Sequence, residues 1–136
     1  MAKVTKINHV AVVVPDLENS LGFCKDALGL ELNHIEDVPS QKSAVAFFPV
    51  GDSEVELVKP TSDDSGVAKF LADRGGGMHH LCFEVDDIEG MMASLKEKGV
   101  RLINDAPQVL PGRKMAFVHP KSTGGVLVEL YQITRE

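Results

Sequence analysis

Two histidines and two glutamates recur in this chain at nearly one spacing. His9 opens the apolar run 9–14, and His80 opens a similar run 71 residues later. Glu56 lies in Val55-Glu56-Leu57-Val58, and Glu129 lies in Val128-Glu129-Leu130-Tyr131, 73 residues later. A near-constant offset signals two copies of one supersecondary unit. Two imidazoles and two carboxylates at matched places form a mixed nitrogen and oxygen ligand set. Such a set suits Co(II), Mn(II), Zn(II), Ni(II) or Fe(II) better than Ca(II). Each residue alone has a plainer reading, as a hydrogen-bonded strand-start histidine or a solvent-facing glutamate. The matching outweighs that reading, most of all for Glu129, whose strand is apolar on both faces. A carboxylate buried there is costly without a partner. Glu54 shares a strand face with Glu56 and could exchange roles with it, whereas His79 should face away from His80.

The elements that must position these residues repeat as well. Ile7 to Val14 is β-branched and ends at Pro15-Asp16, which predicts a strand. Asp16 is a suitable N-cap for a helix with Leu17, Leu21, Cys24 and Leu28 on its apolar side, stopped by Gly29. Strands are expected near 31–38, 44–50 and 54–59, with Gly51-Asp52 as a turn. A polar connection then leads to a short helix over 67–73, and Gly75-Gly76-Gly77 reads as a flexible hinge. The second copy predicts a strand over 78–85 and a helix capped by Asp87 and ending at Lys98-Gly99. Strands near 101–104, 114–119 and 125–133 complete it. Each half is thus βαβββ, within one domain: module one about 5–60, linker about 61–77, module two about 78–133. A half this small cannot close a core alone, so the halves should pack together or swap between subunits.

Composition narrows the function. The chain has 136 residues, 43% hydrophobic and 25% charged, ordinary values for a globular α+β domain. Its net charge of −6 argues against nucleic acid or an anionic membrane as partner. Cys24 and Cys82 form no CxxC pair, and no signal peptide or apolar span stands out. A reducing, cytoplasmic setting is the simplest reading. The triple glycine lacks the GxxxxGK[ST] pattern of a nucleotide P-loop.

These residues resemble the methylmalonyl-CoA epimerase family of the vicinal oxygen chelate, or glyoxalase, superfamily. The resemblance runs from about Ile7 to Gln132. It is carried by Ile7-Asn8-His9-Val10-Ala11-Val12, Glu54-Val55-Glu56-Leu57-Val58-Lys59-Pro60, Val67-Ala68-Lys69-Phe70-Leu71, the run from Gly77 to Ile88, and the run from His119 to Leu130. It implies two βαβββ modules forming a curved mixed sheet around a metal site. His9, Glu56, His80 and Glu129 match the metal-binding positions. The implied reaction interconverts (2R)- and (2S)-methylmalonyl-CoA in a homodimer. The α-hydrogen between thioester and carboxylate is acidic, and its removal builds an enolate that a metal would stabilise. Epimerisation needs two acid/base groups on opposite faces of that enolate. Glu129 is expected to be one, moving on and off the metal; Glu56 or another donor is the second. Some relatives have Glu where Val45 stands, and many have a Gly-Ala-His-Gly-like loop where this chain has 109–114, which bears on acyl preference.

Around the centre, Gln41, Lys121 and Ser122 match substrate-side loops, with the plain glycine turn as the rival for 121–125. Arg113, Lys114 and Lys42 are candidates for CoA phosphates against the commoner surface role. His119 and Cys82 read as structural. Rival functions are a glyoxalase I-type glutathione thioester isomerase, disfavoured by the 119–129 segment, and an extradiol dioxygenase, whose further acid/base histidine is not evident. A non-catalytic small-molecule binding module typically lacks the full ligand set.

Overall fold

The computed structural model describes residues 1–134, with the side chain of Ser40 outside the description. Among the described residues, eight strands belong to one mixed sheet and three segments are α-helices. The chain divides into two compact units. The first is His9–His79, and the second is Met1–Asn8 with the chain from His80 onward.

In the first unit the strand order is β2 (His34–Val38), β3 (Ser43–Val50), β4 (Ser53–Pro60) and β1 (Val4–Val13), of which the part from His9 onward belongs to this unit. β1 runs parallel to β4, and the other neighbours are antiparallel. The second unit repeats this plan. There β6 (Gln108–Leu110), β7 (Arg113–Val118), β8 (Leu127–Ile133) and β5 (Gly77–Val85) follow one another, with β5 parallel to β8. Both units are therefore βαβββ, as the repeat requires.

Each unit puts one helix on one face of its strands. α1 (Leu17–Leu21) is capped by Asp16, whose carboxylate accepts the Asn19 N–H at 3.2 Å. It lays Leu17 and Leu21 on Val14, Ala46, Phe48 and Leu57. From Gly22 to Ala27 the helix widens to π-helical turns, with Leu28 N–H bonding Phe23 C=O. The widening shifts the apolar stripe, so Leu28, expected on the buried side, is exposed. α3 (Ile88–Glu97), capped by Asp87 on Gly90 N–H, covers Val85, Ala116, Val118 and Leu130. The alternate residues of the same strands, which include Glu56 and Glu129, project from the opposite face.

Among the described residues, α2 (Gly66–Arg74) has no counterpart in the second copy. It is capped by Ser65, and its Val67, Phe70 and Leu71 seal the far end of the first unit's helix-free face over Ala11, Val13, Val45 and Val58. The glycines after it are not a slack hinge. Gly75 is the left-handed C-cap, with φ 75° and its N–H on Leu71 C=O. A Cβ on Gly76 would sit 2.9 Å from Val13 O, and Gly77 already begins β5.

The expected strand over 101–104 is also corrected. Only Leu102 forms a bridge, to Val118. Asn104 ends the pairing by offering its side-chain oxygen to Phe117 N–H at 2.7 Å, in place of a backbone carbonyl. The edge strand is instead Gln108–Leu110, in the segment read as a loop.

Candidate metal centre and acid/base pairs

Register explains why each copy brings its histidine to its glutamate. In the first unit Ala11 lies opposite Glu56, and His9 precedes Ala11 by two residues on the same face. In the second, Cys82 lies opposite Glu129, and His80 precedes Cys82 by two. Phe47 and Phe117 flank the two glutamates from the next strands. The outcome is the same in both copies. His9 Nδ1 is 3.5 Å from Glu56 Oε2, and His80 Nε2 is 3.2 Å from Glu129 Oε1. The two pairs use different ring nitrogens.

The pairs are withdrawn from solvent. His9 is 6% exposed and Glu129 3%, with Glu56 and His80 half-buried. A carboxylate oxygen this close to an imidazole nitrogen is accommodated either by an N–H donated from that nitrogen or by a cation beside both atoms. The donors are the hard-to-borderline nitrogen and oxygen atoms that a first-row divalent ion takes. Cys82 Sγ lies within 4.8 Å of a Glu129 ligand atom, and Cys82 is fully buried.

Geometry also sorts the sequence alternatives. Glu54 sits opposite His9 in register, but the short contact goes to Glu56. His79 packs edge-on against Phe70 of α2, ring centroids 5.0 Å apart, a contact in which His80 has no part. Val45 is 3% exposed within the apolar cluster under α2 and offers no proton. Lys42 and Lys114 are engaged within the chain, with Asp64 at 2.9 Å and Glu89 at 2.6 Å. Those cations hold the Asp64 and Glu89 carboxyls below their usual range, after a larger hydrogen bond from Ser62 in the case of Asp64. Burial pushes the Cys24 thiol up, as for an inert core cysteine.

The substrate-side candidates lie on turns. Gln41 is exposed at the end of the 3-10 turn Pro39–Gln41, where its carbonyl accepts from the buried Ser43 hydroxyl at 2.9 Å. Lys121 and Ser122 are exposed in the 3-10 turn Pro120–Ser122, and Ser122 Oγ accepts the Arg101 N–H at 2.9 Å. A surface hollow of about 480 Å³ lined by Pro15, Lys59, Thr61 and Leu71 contains none of the His/Glu residues.

Glu84 shares a strand face with His80 and Cys82 in the sequence pattern but drew no role from it; it accepts Asn8 Nδ2 at 3.0 Å, with Lys6 at 4.0 Å. Its position two residues beyond Cys82 was the available signal.

The profile of the Glyoxalase/Bleomycin resistance protein/Dioxygenase superfamily matches residues 8–117, which defines the class of fold and site. The mitochondrial methylmalonyl-CoA epimerase of Mus musculus is 41% identical over 96% of this chain and 74% of its own length. The ethylmalonyl-CoA/methylmalonyl-CoA epimerase of Cereibacter sphaeroides is 37% identical over 94% of this chain and 98% of its own. A solved structure of a Streptomyces coelicolor methylmalonyl-CoA epimerase variant with 2-nitronate-propionyl-CoA superimposes with a TM-score of 0.84. It shares 32% identity and covers 98% of this chain and 100% of that one. This chain belongs to the methylmalonyl-CoA epimerase family of that superfamily.

Proposed function

We propose that this protein is an isomerase that epimerises methylmalonyl-CoA at its α-carbon. The observation that carries the reading is the doubled His/Glu pair, 3.5 Å and 3.2 Å apart, with Glu129 almost wholly buried. Relatives named for this activity, and a structural neighbour that binds an acyl-CoA analogue, support the substrate class.

His9, Glu56, His80 and Glu129 would hold one divalent ion, of the Co, Mn, Zn or Ni type. When bound, the ion supplies Lewis acidity toward the thioester oxygen, where charge builds as the α-proton leaves. The chain's own groups do the proton work. Glu129 accepts the α-proton onto a carboxylate oxygen, and the C–H electron pair passes into the enolate. Glu56, from the other copy, would carry a proton when not engaged as a ligand and return it to the opposite face of the same carbon. The two carboxyls have then exchanged roles, and the reverse turnover or exchange with water restores them. Gln41, Lys121 and Ser122 are assigned to holding the substrate outside the reacting carbon.

The two modules act as one domain in this reading, and the protein is a cytoplasmic homodimer. Among the described residues no helix is long and apolar enough to cross a membrane. Exposed apolar side chains on the edge strands, Ile35 of β2 and Val109 of β6, favour association.

Exchange of the methylmalonyl-CoA α-hydrogen in D₂O tests the proposal. Fast exchange with conversion of both epimers, lost on chelation and in Glu129→Gln, is expected. No exchange above the uncatalysed rate in metal-loaded protein refutes the assignment.

A further inference from the structure

The two copies differ one row away from their glutamates. In copy one, Val13, Val58 and Val45 are neighbours in register on β1, β4 and β3, next to the row of Ala11, Glu56 and Phe47. They are 1%, 7% and 3% exposed, because Val67, Phe70 and Leu71 of α2 pack on them. In copy two, Glu84, Tyr131 and Met115 are neighbours in register on β5, β8 and β7, next to the row of Cys82, Glu129 and Phe117. The repeat thus carries the three valines onto Glu84, Tyr131 and Met115, which are only half-buried. α3 packs on the opposite face of these strands, over Val85, Ala116 and Leu130. Among the described residues the second unit has no other α-helix, so no helix of that unit fills the row as α2 does in copy one.

The chemistry of the row suits a short apolar group. Glu84 at its border is engaged, with its carboxylate accepting Asn8 Nδ2 at 3.0 Å and lying 4.0 Å from Lys6 Nζ. Met115 and the Tyr131 ring are the apolar surface beside it. A thioether chain adapts its shape and an aromatic ring is flat and stiff, a pairing that accepts an alkyl group and gives a second carboxylate nothing to bind. The row lies two residues along β8 from Glu129, about 7 Å. When the α-proton leaves, the α-carbon becomes planar. Its two oxygen-bearing neighbours are directed to the His/Glu centre, so its third substituent, the alkyl branch, points away from that centre. Copy one closes the adjoining row with α2, and copy two supplies Met115 and Tyr131 there.

We propose that Met115 and Tyr131 form the wall that receives the alkyl branch on the substrate's α-carbon, and that Met115 sets the length of branch accepted. The inference rests on the acyl-CoA epimerase reading of His80 and Glu129.

The preference for butylmalonyl-CoA over methylmalonyl-CoA tests it, as a ratio of kcat/KM from α-proton exchange in D₂O. Calorimetric affinities for the same two thioesters are read alongside. The wild type, Met115→Ala, Met115→Phe and Val45→Ala are compared. Met115→Ala should raise the preference for the longer branch about tenfold and Met115→Phe should lower it about tenfold, the effect of a methylene or more of pocket length. Both should unfold near the wild-type Tm, since Met115 is half-buried. Val45→Ala, at the matching position under α2, should lower Tm by emptying packed space and leave the preference unchanged. An unchanged preference in both Met115 variants overturns the inference, as does an equal shift in Val45→Ala. In a protein without α-proton exchange the affinity ratios decide by the same criteria. Ratios that follow Met115 there would refute the epimerase assignment and leave the wall standing.

Discussion

Glu129→Gln distinguishes a ligand pair from an ordinary buried ion pair by its effect on the metal-free protein. Glu129 is 3% exposed and lies 3.2 Å from His80 Nε2, and Gln keeps its size while removing its charge. If the pair existed to stabilise the fold, breaking it would strand a buried charge and cost about 3–5 kcal/mol. If the carboxylate instead awaits a cation, the chelated protein already bears the desolvation of an under-compensated charge. A neutral isostere then changes stability by only about 1 kcal/mol or improves it. In the wild type, an ion at a hundredfold over its Kd should add about 2.7 kcal/mol of stability. For a chain of this size that raises Tm by roughly 10 °C. The assay is thermal unfolding by circular dichroism, with chelator and with Co(II) or Zn(II), for both proteins. The expected pattern is near-equal chelated Tm values and a metal-induced rise in the wild type that largely vanishes in Glu129→Gln. A chelated variant destabilised by about 3 kcal/mol or more, with no metal response in the wild type, would refute the reasoning.

Other consequences are more local. Phe48→Ala empties a fully buried position under α1 and should cost about 3–5 kcal/mol, read from denaturant unfolding. Gly76→Ala combines a φ of +107° with a Cβ 2.9 Å from Val13 O and should cost about 1–3 kcal/mol, with a lowered Tm as the readout. Asp64→Asn should leave Tm unchanged, because the Lys42 pair is solvated and screened. The protein should elute as a dimer with a mass near twice 14.7 kDa in light-scattering chromatography.

The ligand candidates were legible because a carboxylate in an apolar strand, repeated with a histidine at matched spacing, has few physical explanations. The βαβββ order was legible for a similar reason: period-2 and helical apolar patterns alternate, with Asp16 and Asp87 capping the helices. Three features depended on tertiary contacts. The strand at 108–110 forms because Asn104 ends the earlier pairing with its side chain, and no local pattern announces that. The triple glycine looked slack in sequence, yet Gly76 is set by the approach of Val13 O, a residue far back in the chain. Glu56 rather than Glu54 meets His9, although the two glutamates share a strand face; strand register brought His9 Nδ1 to Glu56. Periodicity and residue chemistry act along the chain and can be read from it. Register, close approach and the choice between equivalent side chains arise between distant segments and exist only once those segments have packed.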